Sequence, residues 1–219
     1  MQKITTNQPV LVLLYGYPGA GKTHFANQMA EYISASHLHA DRIRHELFNQ
    51  VRYDKEEDSI VEHLSHYMAE EFLRAGVSVI FDADASRQSQ RRALREIARK
   101  THAKPIQIWL QIDLDSARQR LGSRDRRKTD DKYARIYDQE IFDRHVGRMQ
   151  NPSNEDFIVI SGKHTFNTQR NAVIKYFYQQ GVLSADSISS NVVKPGLVNL
   201  VPNPQAGRVD LSRRNIIIR

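Results

Sequence analysis

The chain has 219 residues, no cysteine, 32 lysines and arginines against 25 acidic residues, a net charge of +7 and a pI near 9.7. That length suits one domain that buries about 70% of its unfolded surface and needs no disulfide, metal or partner to form a core. The start, MQKITTNQPV, lacks the apolar stretch of a secretion signal and no run approaches the ~18 apolar residues of a membrane span, so the expectation is a cytoplasmic protein with anionic ligands such as nucleotides, sugar phosphates or nucleic acid.

Apolar runs of strand length alternate with longer segments of helical period, which predicts an α/β fold with a five-stranded, mostly parallel sheet between helices. The first strand, Val10–Tyr15, leads through GYPGAGKT into a helix over Thr23–Ile33. A second strand is expected at Ser36–Ala40, followed by a helix within HADRIRHEL. Glu56–Ala75 then forms a long helix with Ile60, Val61, Leu64, Met68 and Phe72 inward, stopped by Gly76. Strand three is Val77–Phe81, and the helix Ser86–Lys100 turns Ala93, Leu94, Ile97 and Ala98 inward. Strand four, Ile106–Ile112, precedes a helix over Leu114–Arg124 that buries Leu114, Ala117 and Leu121. Residues 125–135 are almost wholly polar, so the stretch from about 114 to 140 reads as a lid. Ile141, Phe142, His145, Val146 and Met149 predict a further helix ending before Pro152. The last strand is Phe157–Ile160, and a helix over about 165–180 carries Ala172, Val173, Tyr176 and Phe177 inward. Residues 1–183 thus form the domain. The remainder, 184–219, has no aromatic residue and only brief apolar runs, and is expected to be an extended tail that adds an edge strand or binds a partner.

The spacing G-x-x-x-x-G-K-T between a strand and a helix is a Walker A pattern. Gly16, Gly19 and Gly21 let backbone approach an anion in conformations a Cβ would forbid. The loop residues Tyr17, Pro18 and Ala20 are expected to bind the nucleotide with them, and the N–H groups of Gly19 to Thr23 converge with the helix dipole on phosphate oxygens. Lys22 reaches the β and γ groups, and Thr23 offers its hydroxyl to Mg²⁺.

Ligands of an open α/β sheet lie beyond the carboxyl ends of its strands, and acids stand there: Asp41, then Asp82 and Asp84, then Asp113. Asp82 closes VSVIFD, and a carboxylate there can hold Mg²⁺ or its water shell beside Thr23. Asp113 sits where a helix begins and reads as its cap. Asp41 also precedes a helix and reads as a cap, but near a γ-phosphate it could take the proton of an attacking hydroxyl, with Arg44 at i+3 neutralising the acceptor or the transferring group. Arg120 and Arg124, at i and i+4, could stabilise the migrating phosphoryl group, whereas Arg118, Arg126, Arg127 and Lys128 read as a solvated basic face. His37 and His39 share a strand face and His63 and His66 a helix face, but neither pair has a zinc-ligand pattern.

The pieces GYPGAGKT, HADRIRHEL, VIFDADASRQSQRRAL and DLDSARQRLGSRDRR, in that order over about residues 9–180, resemble the P-loop kinases of the AAA_33 or zeta-toxin-like group, especially the 5′-hydroxyl polynucleotide kinase domain. The resemblance implies a nucleoside-kinase-like P-loop fold, ATP as donor, and Asp41 as the base that activates the acceptor hydroxyl. It also implies that Arg44 holds the acceptor's phosphate region, that Arg120 and Arg124 embrace the donor phosphates, and that Asp82 lies by the metal. The stretch DADAS departs from the D-T-N-like segment of polynucleotide kinases, and the tail matches none of them.

The expected function is an ATP- and Mg²⁺-dependent transfer of the γ-phosphate to a hydroxyl of a small metabolite, a nucleoside or a nucleic-acid 5′ end. The alternative is a nucleotide-dependent switch or regulatory NTPase acting through its C-terminal tail.

Overall fold

A computed structural model describes residues 3–124 and 132–184. These belong to one compact unit, Met1–Ser189. The central part of the polar lid and the tail expected beyond Ser184 lie outside the described residues.

Five strands form the sheet: β1 (Val10–Tyr15), β2 (Ala35–His39), β3 (Ser78–Asp82), β4 (Lys104–Gln111) and β5 (Phe157–Ser161). All neighbouring pairs run parallel, in the order β2-β3-β1-β4-β5. Every connection is a helical crossover, as parallel pairing requires: α1 (Lys22–Tyr32), α2 (Ala40–Leu47) with α3 (Lys55–Arg74), α4 (Gln88–Lys100), and α5 (Leu114–Gly122) with α6 (Gln139–Arg148), while α7 (Phe166–Gln179) follows the last strand. The central strand β1 is buried at all six positions, because helices cover both faces and an apolar run has no solvent side to alternate with. On one face Leu11, Leu13, Leu38, Val79 and Phe81 pack with Ala69, Leu73, Leu94, Ile97 and Ala98.

The expected strands are all present, β1 with the expected ends and the others with ends displaced by at most two residues. The helix faces differ more. In α3 the buried residues are Glu57, Val61, Ser65, Ala69 and Leu73, and Ile60, expected inward, is 44% exposed. The stripe is rotated because small residues at four-residue spacing bring this helix against the sheet, and because Glu57 is drawn inward by a buried arginine. In α4 Arg91 takes the inward place expected of Ala93. Its guanidinium, fully buried, pairs with Glu155 at 2.9 Å, donates to the carbonyls of Ala85 and Ser86, and lies over the Tyr15 ring at 5.0 Å. In α7 Gln169 and Ile174 are buried with Val173 and Phe177.

The chain leaves β1 towards β2 and leaves β4 in the opposite direction towards β5. The connections after these adjacent strands therefore diverge, and a crevice opens at their carboxyl ends, the topological position at which open α/β sheets bind ligands.

Candidate phosphate-binding and transfer site

The loop after β1 closes on itself before α1 starts. The Ala20 N–H donates to the Tyr17 carbonyl at 3.0 Å, and Gly16, Gly19 and Gly21 all have positive φ. Two of them also sit where no side chain fits. A Cβ on Gly16 would lie 2.4 Å from the Leu110 carbonyl oxygen of β4, and one on Gly19 would lie 2.5 Å from that of Ala117 in α5. The loop thus nests against both elements across the crevice. It also meets the β5–α7 turn, where a Cβ on Gly162 would lie 2.7 Å from the Ala20 carbonyl oxygen.

Lys22 folds back over this loop, its Nζ donating to the carbonyls of Gly16 at 2.8 Å and Tyr17 at 3.1 Å. Burial lowers its pKa against the opposing pull of Asp82, Asp84 and Asp41, with Arg124 adding to the lowering. A cation held in a cradle of left-handed glycines at a helix N-terminus suits a polyanion.

Asp82 ends β3 beside the β2 edge. Its Oδ2 faces two imidazoles of β2, His37 Nε2 at 3.2 Å and His39 Nε2 at 3.9 Å, whose rings stack with centroids 5.5 Å apart. Burial would push the Asp82 carboxyl up, but the His37 hydrogen bond, the fields of His39 and His37 and the Thr23 hydroxyl outweigh it and hold the group below the usual carboxylate range. A hard carboxylate beside a threonine hydroxyl fits Mg²⁺. Among the described residues no cluster of three or more His, Asp or Glu side chains is arranged to hold a metal on its own, so an ion here would depend on phosphate oxygens to complete its shell.

Asp41 lies in the first turn of α2, which starts at Ala40 with His39 at its cap position. The capping role expected for Asp41 is therefore absent, and its side chain lines the cleft. Burial raises its pKa, opposed by His39, while the neighbouring Asp82 charge raises it further and Arg44 and Arg124 lower it. Asp113 does cap α5, accepting from the Ser116 N–H at 2.9 Å, and it pairs with Lys163.

The three arginines differ. Arg120 lines the cleft with its Nη1 3.0 Å from the Gly162 carbonyl, and Arg124 lines it while donating to the Arg135 carbonyl at 3.1 Å. Arg44 is buried and paired with Glu57 at 3.2 Å and Asp58 at 2.6 Å. It also stacks on Tyr53, whose φ of +56° is held by its N–H bond to the Glu57 carboxylate. Of the loop residues 16–23, Tyr17 alone does not line the cleft, its carbonyl being turned to Ala20 and Lys22.

The cleft, of about 1030 Å³, also takes in residues for which the sequence offered little signal: Tyr137, His145 and Arg148 from α6 and its approach, and Arg135. Burial raises the Tyr137 pKa and lowers that of His145. His37 and His39 were visible as a pair on one strand face, but their target, Asp82, comes from the neighbouring strand.

A glycine-lined loop between a buried parallel strand and a helix, with its lysine folded over it and a carboxylate on the adjacent strand end, defines the P-loop class of α/β folds. Residues 11–152 match the model of the AAA_33 family, described as an AAA domain. That span is more than half of the chain, and the chain belongs to this family. Among solved structures it is similar to a sugar kinase from Janibacter sp. HTCC2649 (14% identity, 83% of this chain and 99% of that one, TM-score 0.58). It is also similar to the Mycobacterium tuberculosis APS kinase CysC in complex with AMPPNP and APS (18%, 78% and 98%, 0.58) and to Chaetomium thermophilum Kti12 in complex with ADP-AlF3 (14%, 80% and 100%, 0.59). At these identities the likeness is one of fold. A search of curated proteins finds no match. Among the described residues no helix is long and apolar enough to cross a membrane.

Proposed function

We propose that this protein is a phosphotransferase that moves the γ-phosphate of ATP to a hydroxyl acceptor. The observation that carries the reading is the placement of Asp41, a half-buried carboxyl with a raised pKa, in the same cleft as the Lys22 loop and close enough for Lys22 to feel its charge. A carboxylate beside the phosphate loop can take the proton of an attacking hydroxyl, the step that transfer to an acceptor requires.

Gly16, Gly19 and Gly21 with the N–H groups leading into α1 cradle the phosphates, and Lys22, Arg120 and Arg124 face the charge that spreads over the migrating group. Thr23 and Asp82 would hold Mg²⁺, which would supply neutralisation of phosphate charge. Asp41 accepts the acceptor's hydroxyl proton as the new O–P bond forms, and the bond from the γ-phosphorus to the bridging oxygen breaks to leave ADP. Arg44, already neutralised by Glu57 and Asp58, positions the Asp41 helix and the Tyr53 turn. The test is incubation of the purified protein with γ-labelled ATP, Mg²⁺ and a mixture of hydroxyl metabolites and 5′-hydroxyl oligonucleotides. A labelled product that disappears in Asp41→Asn, with nucleotide binding retained, is the expected result. No labelled product from the wild type would sink the reading.

A further inference from the structure

The helix α3 turns a polar side to the cleft. Asp58, Ser59, Glu62, Ser65 and His66 follow one another at helical spacing along one stripe, and all of them line the cleft. From the β3–α4 connection and α4, Asp84, Ser86 and Gln90 line it as well, and Val61 and Phe81 add apolar surface.

Oxygen acceptors and hydroxyls dominate this end. The one buried arginine within it, Arg44, is already matched by two carboxylates, and Arg135 stacks on Tyr53 and Tyr137. Lys55, Arg87 and Arg148 also line the cleft but are exposed, where a cation holds an anion only weakly. A phosphate placed here would face Asp58, Glu62 and Asp84.

Ser65 supplies the independent pointer. The residue is fully buried, and among the described residues its hydroxyl has no hydrogen-bond partner. A buried hydroxyl without a partner is costly to leave so, and a ligand hydroxyl would supply what is missing. Next to it, the His66 ring lies 5.8 Å from the Phe81 ring. Burial lowers the His66 pKa, so the neutral imidazole offers one donor and one acceptor.

Resting on the phosphotransferase reading, we propose that the acceptor is an unphosphorylated polyhydroxyl compound, a sugar, amino sugar or cyclic polyol. Its hydroxyls are shared among Glu62, Ser65, His66 and Gln90 while another hydroxyl lies at Asp41. Carboxylates accept from hydroxyls, while serine, amide and imidazole groups can give or take, so the stripe matches a ring of alternating hydroxyls better than an anion.

The test is calorimetric titration of the full chain, loaded with AMPPNP and Mg²⁺, with hexoses, amino sugars and cyclic polyols. Hexose 6-phosphates and a 5′-hydroxyl oligonucleotide form the contrasting arms. At least one unphosphorylated compound should bind saturably and at least about tenfold more tightly than its phosphate ester. Glu62→Ala and Ser65→Ala should each weaken it about tenfold with ADP affinity unchanged. Ser65→Ala should also raise the Tm of the ligand-free protein by about 2 °C, because it deletes an unsatisfied buried hydroxyl; a merely structural Ser65 would lower it. The proposal is overturned by tighter binding of the ester or the oligonucleotide, by silence across the panel, or by binding indifferent to both variants. The titration needs no turnover, so a polyol that binds but is never phosphorylated refutes the phosphotransferase reading, whereas phosphorylation of an oligonucleotide end keeps that reading and removes the polyol.

Discussion

Gly19→Ala separates two penalties that the phosphate loop combines, backbone handedness and steric contact. Gly19 has φ +86°, and a Cβ there would meet the Ala117 carbonyl oxygen at 2.5 Å and Leu121 Cγ at 3.2 Å. The left-handed backbone costs about 1–2 kcal/mol for alanine, and displacing a helical carbonyl costs about 1–3 kcal/mol as overpacking. The stiffer unfolded chain returns at most about 1 kcal/mol. The net loss of about 1–5 kcal/mol lowers Tm by roughly 2–20 °C at this chain length. Gly76 is the control: its φ is +79°, but nothing lies within 4 Å of an added Cβ. Gly76→Ala should therefore cost no more than about 2 kcal/mol once the same unfolded-chain gain is counted, and leave nucleotide binding alone. Gly162→Ala isolates the other penalty, with no left-handed φ and a contact of 2.7 Å to the Ala20 carbonyl oxygen. Circular-dichroism melts of the three variants, each with a titration of ADP and Mg²⁺, read both effects. Gly19→Ala and Gly162→Ala should lose nucleotide affinity by about tenfold or more as the loop shifts. If Gly19→Ala melts with Gly76→Ala, or keeps wild-type nucleotide affinity, the packing argument is wrong.

Asp41→Asn should lower acceptor phosphorylation by about 10²–10⁴ with nucleotide affinity preserved, measured by steady-state transfer and by titration. Its stability effect has the opposite sign. A carboxyl whose folded pKa is raised binds its proton more tightly in the native state, so stability falls as pH climbs from the ordinary aspartate value through the folded one. Removing the charge should raise Tm at neutral pH but change little well below the ordinary value, and an unchanged neutral-pH Tm would contradict the burial argument. His37→Leu should weaken Mn²⁺ binding to the ADP complex about tenfold by paramagnetic titration, and His37→Gln, which keeps an N–H donor, should recover most of it. Glu155→Ala leaves Arg91 charged at 0% exposure without its partner. It should cost about 3–5 kcal/mol in a denaturant melt, and a loss under about 1 kcal/mol would show that Arg91 is not carried as an ion pair.

Much of the scaffold was legible because its signals are local. The apolar run of β1, the spacing GYPGAGKT and the helix after it occupy one continuous stretch, so the P-loop could be placed without knowing any neighbour. The strand ends were legible for the same reason, and with them Asp41, Asp82 and Asp113. The faces of α3, α4 and α7 were less so. Apolar spacing pointed Ile60 and Ala93 inward, but the helices were turned by Glu57 and Arg91, charged residues whose burial makes sense only beside Arg44 and Glu155.

The sequence by itself determined the alternation of strands and helices and the phosphate loop, since both follow from backbone geometry and residue size within short windows. Only the tertiary structure decided the strand order, the nesting of Gly16, Gly19 and Gly162 against carbonyls of other elements, the His37 and His39 contacts with Asp82, and the polar stripe of α3 facing Asp41 across one cleft. Each of these joins residues tens of positions apart, and no local propensity encodes such a meeting. It arises when the apolar faces of the sheet are covered and the polar groups left at its carboxyl edge must find partners in one another or in a ligand.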